Sequence, residues 1–231
     1  MTIFRLKQLA STSVHAAADI VRWNYDRAEL IADGVVHAIG VCFGLIAATV
    51  LIVLTAVYAT AVDVAVVSVY VAGLLAMLVL SATYNLWPVF RAKWVLRRFD
   101  HSAIYLLIAA TYTPFAANRL SAGTGAVMLA AIWLCATIGV ILKMMFPRRF
   151  ERLSIAFYLA MGWMILAVSK PLSAQLATTD LWLLLAGGIV YSVGVVFFLA
   201  ERLPFHKPVW HGFVLAAIML HFAAIVGEFA R

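Results

Sequence analysis

Seven apolar runs, set in 231 residues with only short breaks between them, leave this chain little choice of fold. They cover about 31–58, 62–86, 100–118, 122–145, 152–171, 179–200 and 207–229. A helix needs about 17–25 apolar residues to cross a bilayer, so each run suffices, the third being nearest the lower limit. Lipid offers no partner for backbone N–H and C=O groups, so a spanning segment must satisfy its own. Composition agrees: the chain is 66% hydrophobic and 12% charged, where a soluble domain is roughly half apolar and a quarter charged. The expected fold is an all-α integral membrane protein, a seven-transmembrane helix bundle. Residues 1–30 form an N-terminal segment with room for a short interfacial helix, and residues 31–231 form the membrane domain. Cys42 and Cys135 fall inside apolar runs and read as small buried hydrophobes rather than disulfide partners.

Orientation follows from the basic residues. Arg5, Lys7, Arg22 and Arg27 precede the first run, and Arg91, Lys93, Arg97 and Arg98 follow the second. Lys143, Arg148, Arg149 and Arg152 follow the fourth, and Arg202 and Lys207 follow the sixth. That puts fourteen on one side against Arg119, Lys170 and Arg231 on the other. The positive-inside rule then gives a cytoplasmic N-terminus and an external C-terminus. The net charge of +7 is spread over short loops, a pattern suited to anionic headgroups and not to nucleic acid.

Polar groups inside spans are costly, and they tend to face the bundle interior. Ser81 and Asn85 lie four residues apart at the end of the second run and share one helix face. Asp100 and His101 open the third run, where Asp100 is also a candidate helix N-cap. His206, Lys207 and His211 open the seventh. Glu29, Asp33 and His37 recur at i+4 spacing as a second polar face at the start of the first. With alternating spans all of these lie at the cytoplasmic end, and the opposite end carries no comparable set. Gly40 with Gly44, and Gly187, are placed for close helix contacts. Pro114 should kink the third span.

Several stretches carry a family resemblance. They are Glu29-Leu-Ile-Ala-Asp33 with His37, Ser81-Ala-Thr-Tyr84, Phe99-Asp-His-Ser-Ala-Ile-Tyr-Leu-Leu-Ile-Ala, Ala110-Thr-Tyr-Thr-Pro-Phe115 and Trp210-His-Gly-Phe-Val-Leu-Ala-Ala with His221-Phe222. In order and spacing they resemble bacterial hemolysin III proteins, within the progestin and adiponectin receptor (PAQR) superfamily. The resemblance implies a multi-pass protein of the plasma (inner) membrane whose partners are membrane lipids. It also implies a zinc site near the cytoplasmic face, with three histidines as ligands and an aspartate joined through water. The corresponding positions here are Asn85, Lys207, His211 and Asp100, with Ser81 as the accompanying serine. Two of the three histidines are therefore replaced, and asparagine is a poor zinc ligand.

Three readings of that departure stand open. The Lys207 ammonium takes the cation's place and pairs with Asp100; or a different ion is held by His211, Asp100 and His206; or the site is vestigial. Three functions stand beside them. The first is a role in membrane or lipid homeostasis or sensing. The second is metal-dependent hydrolysis of a lipid amide, as in ceramidases, with Asp100 as general base and Ser81 holding substrate or water. That reaction needs a metal to generate hydroxide. The third is a pore, which would need a polar face continuing through the bundle.

Overall fold

The computed structural model describes residues 26–88, 91–146 and 149–229. Most of the N-terminal segment, including the interfacial helix expected there, lies outside the described residues. The described residues hold helices and connecting turns, with no strand among them. Helix α1 (Arg27–Tyr58) is followed by α2 (Ala61–Leu86), α3 (Arg91–Asn118) and α4 (Ala122–Met145). Then come α5 (Glu151–Trp163), a 3₁₀ segment (Met164–Val168), α6 (Ser169–Ser173), α7 (Thr178–Leu199) and α8 (His206–Phe229). Six helical segments are long and apolar enough to cross a membrane: α1, α2, α4, the stretch Glu151–Ser173, α7 and α8. Their outer faces carry exposed aliphatic side chains such as Ile46, Val53, Val127, Leu134 and Val196, the surface expected against acyl chains.

Local chemistry sets the helix starts. Asp26 caps α1 by accepting from Ala28 N. Thr60 and Asp63 form a reciprocal capping box on α2, which satisfies two otherwise orphaned N–H groups. Ser121 caps α4 by accepting from Thr124 N. Helix α1 begins at Arg27, so residues 27–30 belong to the first span and not to the segment before it.

Helix α3 corrects the sequence reading of the third span. It begins at Arg91, not at residue 100, so Asp100 sits roughly 13 Å along the helix and cannot be its N-cap. Its first turns carry Lys93, Arg97 and Arg98. Its later turns are buried by protein: Ala103, Tyr105, Ala109, Ala110 and Phe115 are each at most 3% exposed. It packs against α2, α4, α5 and α8, while α1 packs against α8 on the other side of the bundle. A helix so enclosed needs less apolar surface than one facing lipid, which explains why this run was the shortest. Gly44 makes the close contact expected of it: a Cβ there would lie 2.5 Å from Leu78 Cδ1. Gly187 leaves room for the His221 ring in the same way.

The fifth span is broken where one continuous helix was expected. The Tyr112 hydroxyl, from α3, enters the gap between α5 and the 3₁₀ segment. It donates to the carbonyls of Met161 (2.9 Å) and Gly162 (2.7 Å) and accepts from Ile165 N at 2.8 Å. A side chain inserted into the i→i−4 ladder is a recognised cause of such breaks. It re-satisfies backbone groups that lipid could not. Removing it in Tyr112→Phe should therefore cost about 1–3 kcal/mol, the penalty for buried polar groups left unpaired. Thermal unfolding of the detergent-solubilised protein would measure this. An unchanged midpoint would mean that the segment heals into regular helix without the hydroxyl.

Candidate functional site

The polar side chains of four helices meet at one end of the bundle. Ser81 and Asn85 share the inner face of α2 and are 4% and 5% exposed. Asn85 Nδ2 donates to Ser81 O at 3.0 Å and to Ser81 Oγ at 3.3 Å. The Ser81 hydroxyl in turn bonds the Asp100 carboxylate of α3. Asp100 also lies in the electrostatic field of His211 from α8. The ring of His211 then reaches α1, with Nδ1 only 2.5 Å from Asp33 Oδ1. That contact calls for an Nδ1–H donating to an ionised carboxylate. His37, one turn beyond Asp33 on α1, brings its ring within 4.6 Å of the His211 ring.

The second polar face is thus part of the same site. Glu29, Asp33 and His37 share one side of α1, and the packing of α1 on α8 puts two of them against His211. Asp33 and His37 are 4% and 7% exposed. Glu29, one turn nearer the helix start, does a different job: its Oε1 accepts from Phe205 N at 2.7 Å. Phe205 has φ 58°, a left-handed conformation costing a non-glycine residue about 1–2 kcal/mol. The carboxylate fixes this turn just before α8 and complements the positive helix end.

Other expected residues remain. His101 stays beside Asp100, with Nε2 3.9 Å from Asp100 Oδ2, and lies edge-on to the Tyr84 ring in the field of Arg97 and Lys143. His206 opens α8 and is half-buried, but it is not among the residues that gather at His211. Lys207 lies in the electrostatic field of Asp33, Glu29 and Glu201.

Sequence reasoning missed Lys93, which it counted as a loop charge. Lys93 is 2% exposed. Its Nζ donates to Trp87 O at 2.9 Å and Asn85 O at 3.4 Å and lies 5.5 Å from the centre of the Tyr84 ring. A cation on the last carbonyls of α2 meets the negative helix end. It also anchors the turn that holds Asn85. The signal was weak: a lysine five residues after Trp87-Pro88.

The opposite end also departs from expectation, since it carries a polar set of its own. Arg119 Nε donates to both oxygens of Glu228 at 2.6 Å, and Asn118 Nδ2 donates to Asp63 Oδ1 at 2.9 Å. Between the two ends the core of the described residues is largely apolar, filled by residues such as Leu51, Leu74, Ile132 and Ile218, with scattered polar groups such as Thr55 and Thr113 that bond their own helices.

The zinc set implied by the resemblance does not fit these residues. The Asn85 amide group donates to its own helix, and an ammonium at Lys207 has no lone pair to offer a metal. Only His211 and Asp100 of that set remain, so no hydrolytic step through such a metal is derived.

A bundle of membrane-spanning helices with a buried polar cluster at one end defines a polytopic membrane protein of the site-bearing kind. The sequence comparisons then give its family. Residues 28–222 match the family described as haemolysin-III related. The chain is 37% identical over 198 residues to the hemolysin-3 homolog of Bacillus subtilis (strain 168), covering 86% of this chain and 93% of that one. It is 39% identical over 198 residues to hemolysin-3 of Bacillus cereus, covering 86% and 90%. Human monocyte to macrophage differentiation factor is 31% identical over 163 residues, covering 68% and 67%. The chain belongs to the haemolysin III-related family, as its motifs suggested.

Lys93 offers a direct check on how this end is held. Lys93→Met keeps most of the apolar stem but removes the donor from two carbonyls. It should destabilise the protein by about 1.5–3 kcal/mol, the range for hydrogen bonds to charged groups. A midpoint equal to wild type in thermal unfolding would mean that water takes over both carbonyls.

Proposed function

We propose that the protein binds a membrane lipid by its acyl chain inside the bundle and serves membrane or lipid homeostasis or sensing at the plasma membrane. The observation that carries this reading is a cavity of about 280 Å³ between α3, the broken fifth span, α7 and α8. Its walls are largely apolar, with Leu107, Phe115, Leu172 and Leu184 among them. Its size approaches the lower end of the range of about 300–1,000 Å³ seen for ligand sites. A few polar groups punctuate it. Tyr191 lines it and has a buried hydroxyl without a protein partner, which suits the ester, amide or hydroxyl of a lipid. His221 also lines it, 3.3 Å from Leu184 O.

The cavity and the polar cluster share helices. On α3, Ile104, Leu107, Thr111 and Phe115 line the cavity, and Asp100 heads the same face at i−4 and i−7 spacing. Tyr191 lies within the electrostatic reach of Asp100. A lipid in the cavity would therefore bring its polar part towards the cluster. The charge distribution supports a cytoplasmic position for that end. The apolar packing between the two polar ends favours this reading over a pore.

Lipid extraction and mass spectrometry of the detergent-purified protein would test it. About one acyl lipid per chain should survive detergent exchange if the cavity is a binding site. Thr111 bonds its own helix at Leu107 O, so Thr111→Phe should fill the cavity without orphaning a partner and lower the retained lipid several-fold. Equal lipid in variant and wild type, or none in wild type, would overturn the reading. Release of a trapped dye from liposomes containing the protein would favour the pore instead.

A further inference from the structure

We infer that this chain has a divalent-cation site built by α1 and α8, from Asp33, His37 and His211. This is a different site from the one its family resemblance implies. Each of the three residues offers a donor atom, and these atoms lie within 4.8 Å of one another. His37 Nε2 is 3.7 Å from Asp33 Oδ2. Two ligands on one tetrahedral zinc with bonds of about 2.0–2.1 Å stand roughly 3.3–3.4 Å apart, so the His37–Asp33 pair needs a shift of only a few tenths of an ångström, and the widest-spaced donors must move by up to about an ångström and a half. Two imidazoles and a carboxylate are a ligand set for zinc and its divalent neighbours.

Two further observations point to a ligand there. His37 is 7% exposed, and its Nε2 has no hydrogen-bond partner. Buried polar atoms are normally satisfied, and an orphan calls for an explanation such as an ion or a water. Next to it is a small void of about 20 Å³, lined by His37, His211, Ser81, Gly40 and Met77 among others. A void needs about 10–15 Å³ of such space to hold a water. It is therefore roughly the size for one exchangeable ligand beside the ion, with Ser81 in its wall.

The rest of the site fits this assignment. His211 contacts Asp33 through Nδ1, and a carboxylate on one imidazole nitrogen orients the ring for metal binding through the other. Lys207 and Lys93 act on the same carboxylate. These two ammonium groups oppose a dication, so a bound ion would depend on direct bonds to its three ligands. The substitutions at Asn85 and Lys207 then mark a displaced site, with His211 the one side chain common to both sets.

The test is Zn²⁺ titration of the full chain in detergent after chelator treatment, read by calorimetry and by bound metal per chain. The wild type should take up about one Zn²⁺, and its thermal midpoint should rise with Zn²⁺ concentration. His37→Ala and Asp33→Asn should each weaken binding more than about 100-fold, beyond the 10–100-fold typical of outer partners. Asn118→Ala, at the opposite end of the bundle, should bind like wild type. If His37→Ala does not elute as a single species, His37→Gln preserves bulk, and it should abolish the ligand-field absorption of bound Co²⁺. A wild type that binds no Zn²⁺ would overturn the inference, whatever the variants do. So would binding that survives loss of His37 or of Asp33, or binding that is lost equally in Asn118→Ala. The cavity reading can fail independently, since lipid retention and Zn²⁺ uptake are separate measurements.

Discussion

The contact between Asp33 and His211 holds the candidate site together. A carboxylate 4% exposed at the end of a bundle is expensive unless it is paired and hydrogen-bonded. Here the pairing comes from α8, 178 residues further along the chain. That contact ties α1 to α8 at this end, where their packing also brings His37 against His211, and so joins the helix ends into one cluster. His37 is drawn in because it sits one turn along α1, and Lys207 because it sits one turn before His211 on α8. Ser81 and Asp100 complete the cluster from the α2–α3 side.

Much of this was legible in the sequence, for identifiable reasons. Apolar run length is a nearly sufficient signal for spans. Helix periodicity then puts Ser81 with Asn85, and Asp33 with His37, on common faces. What the sequence does not contain is which helices are neighbours. Asp33 and His37 therefore looked like a second face instead of partners of His211. The same limit hid Arg119 and Glu228, which are 109 residues apart and meet only because their helix ends coincide. Lys93 was hidden for another reason. A lysine at a span end usually keeps its head in water, and nothing local announces that the carbonyls of Asn85 and Trp87 are there to receive it.

The break in the fifth span has a similar origin. Gly162 and Pro171 weaken the helix in sequence, but neither fixes where it breaks. The position is set from outside, by the Tyr112 hydroxyl arriving between Met161 O and Ile165 N. The consequence reaches the cavity. Irregular backbone in a membrane protein is tolerated where it is buried in protein or lines a cavity, and Gly162, Ile165 and Ser169 all line this one. The same tyrosine thus secures the break and forms part of the wall.

Cavity and cluster are best understood as the two ends of common helix faces. On α8, His211 and Ile218 are two turns apart, and Ile218 borders both the small void at the cluster and the large cavity below it. On α3, Asp100 stands one turn above Ile104 at the cavity wall. A change in occupancy of the cavity would press on α3 and α8, the two helices that position Asp100 and His211. A change in charge at the cluster would act on those helices from the other end. Coupling of this kind needs no moving domain, because a packed core transmits strain over such short distances. It also gives a physical reason for keeping several ionisable side chains in a place where each alone would be a liability.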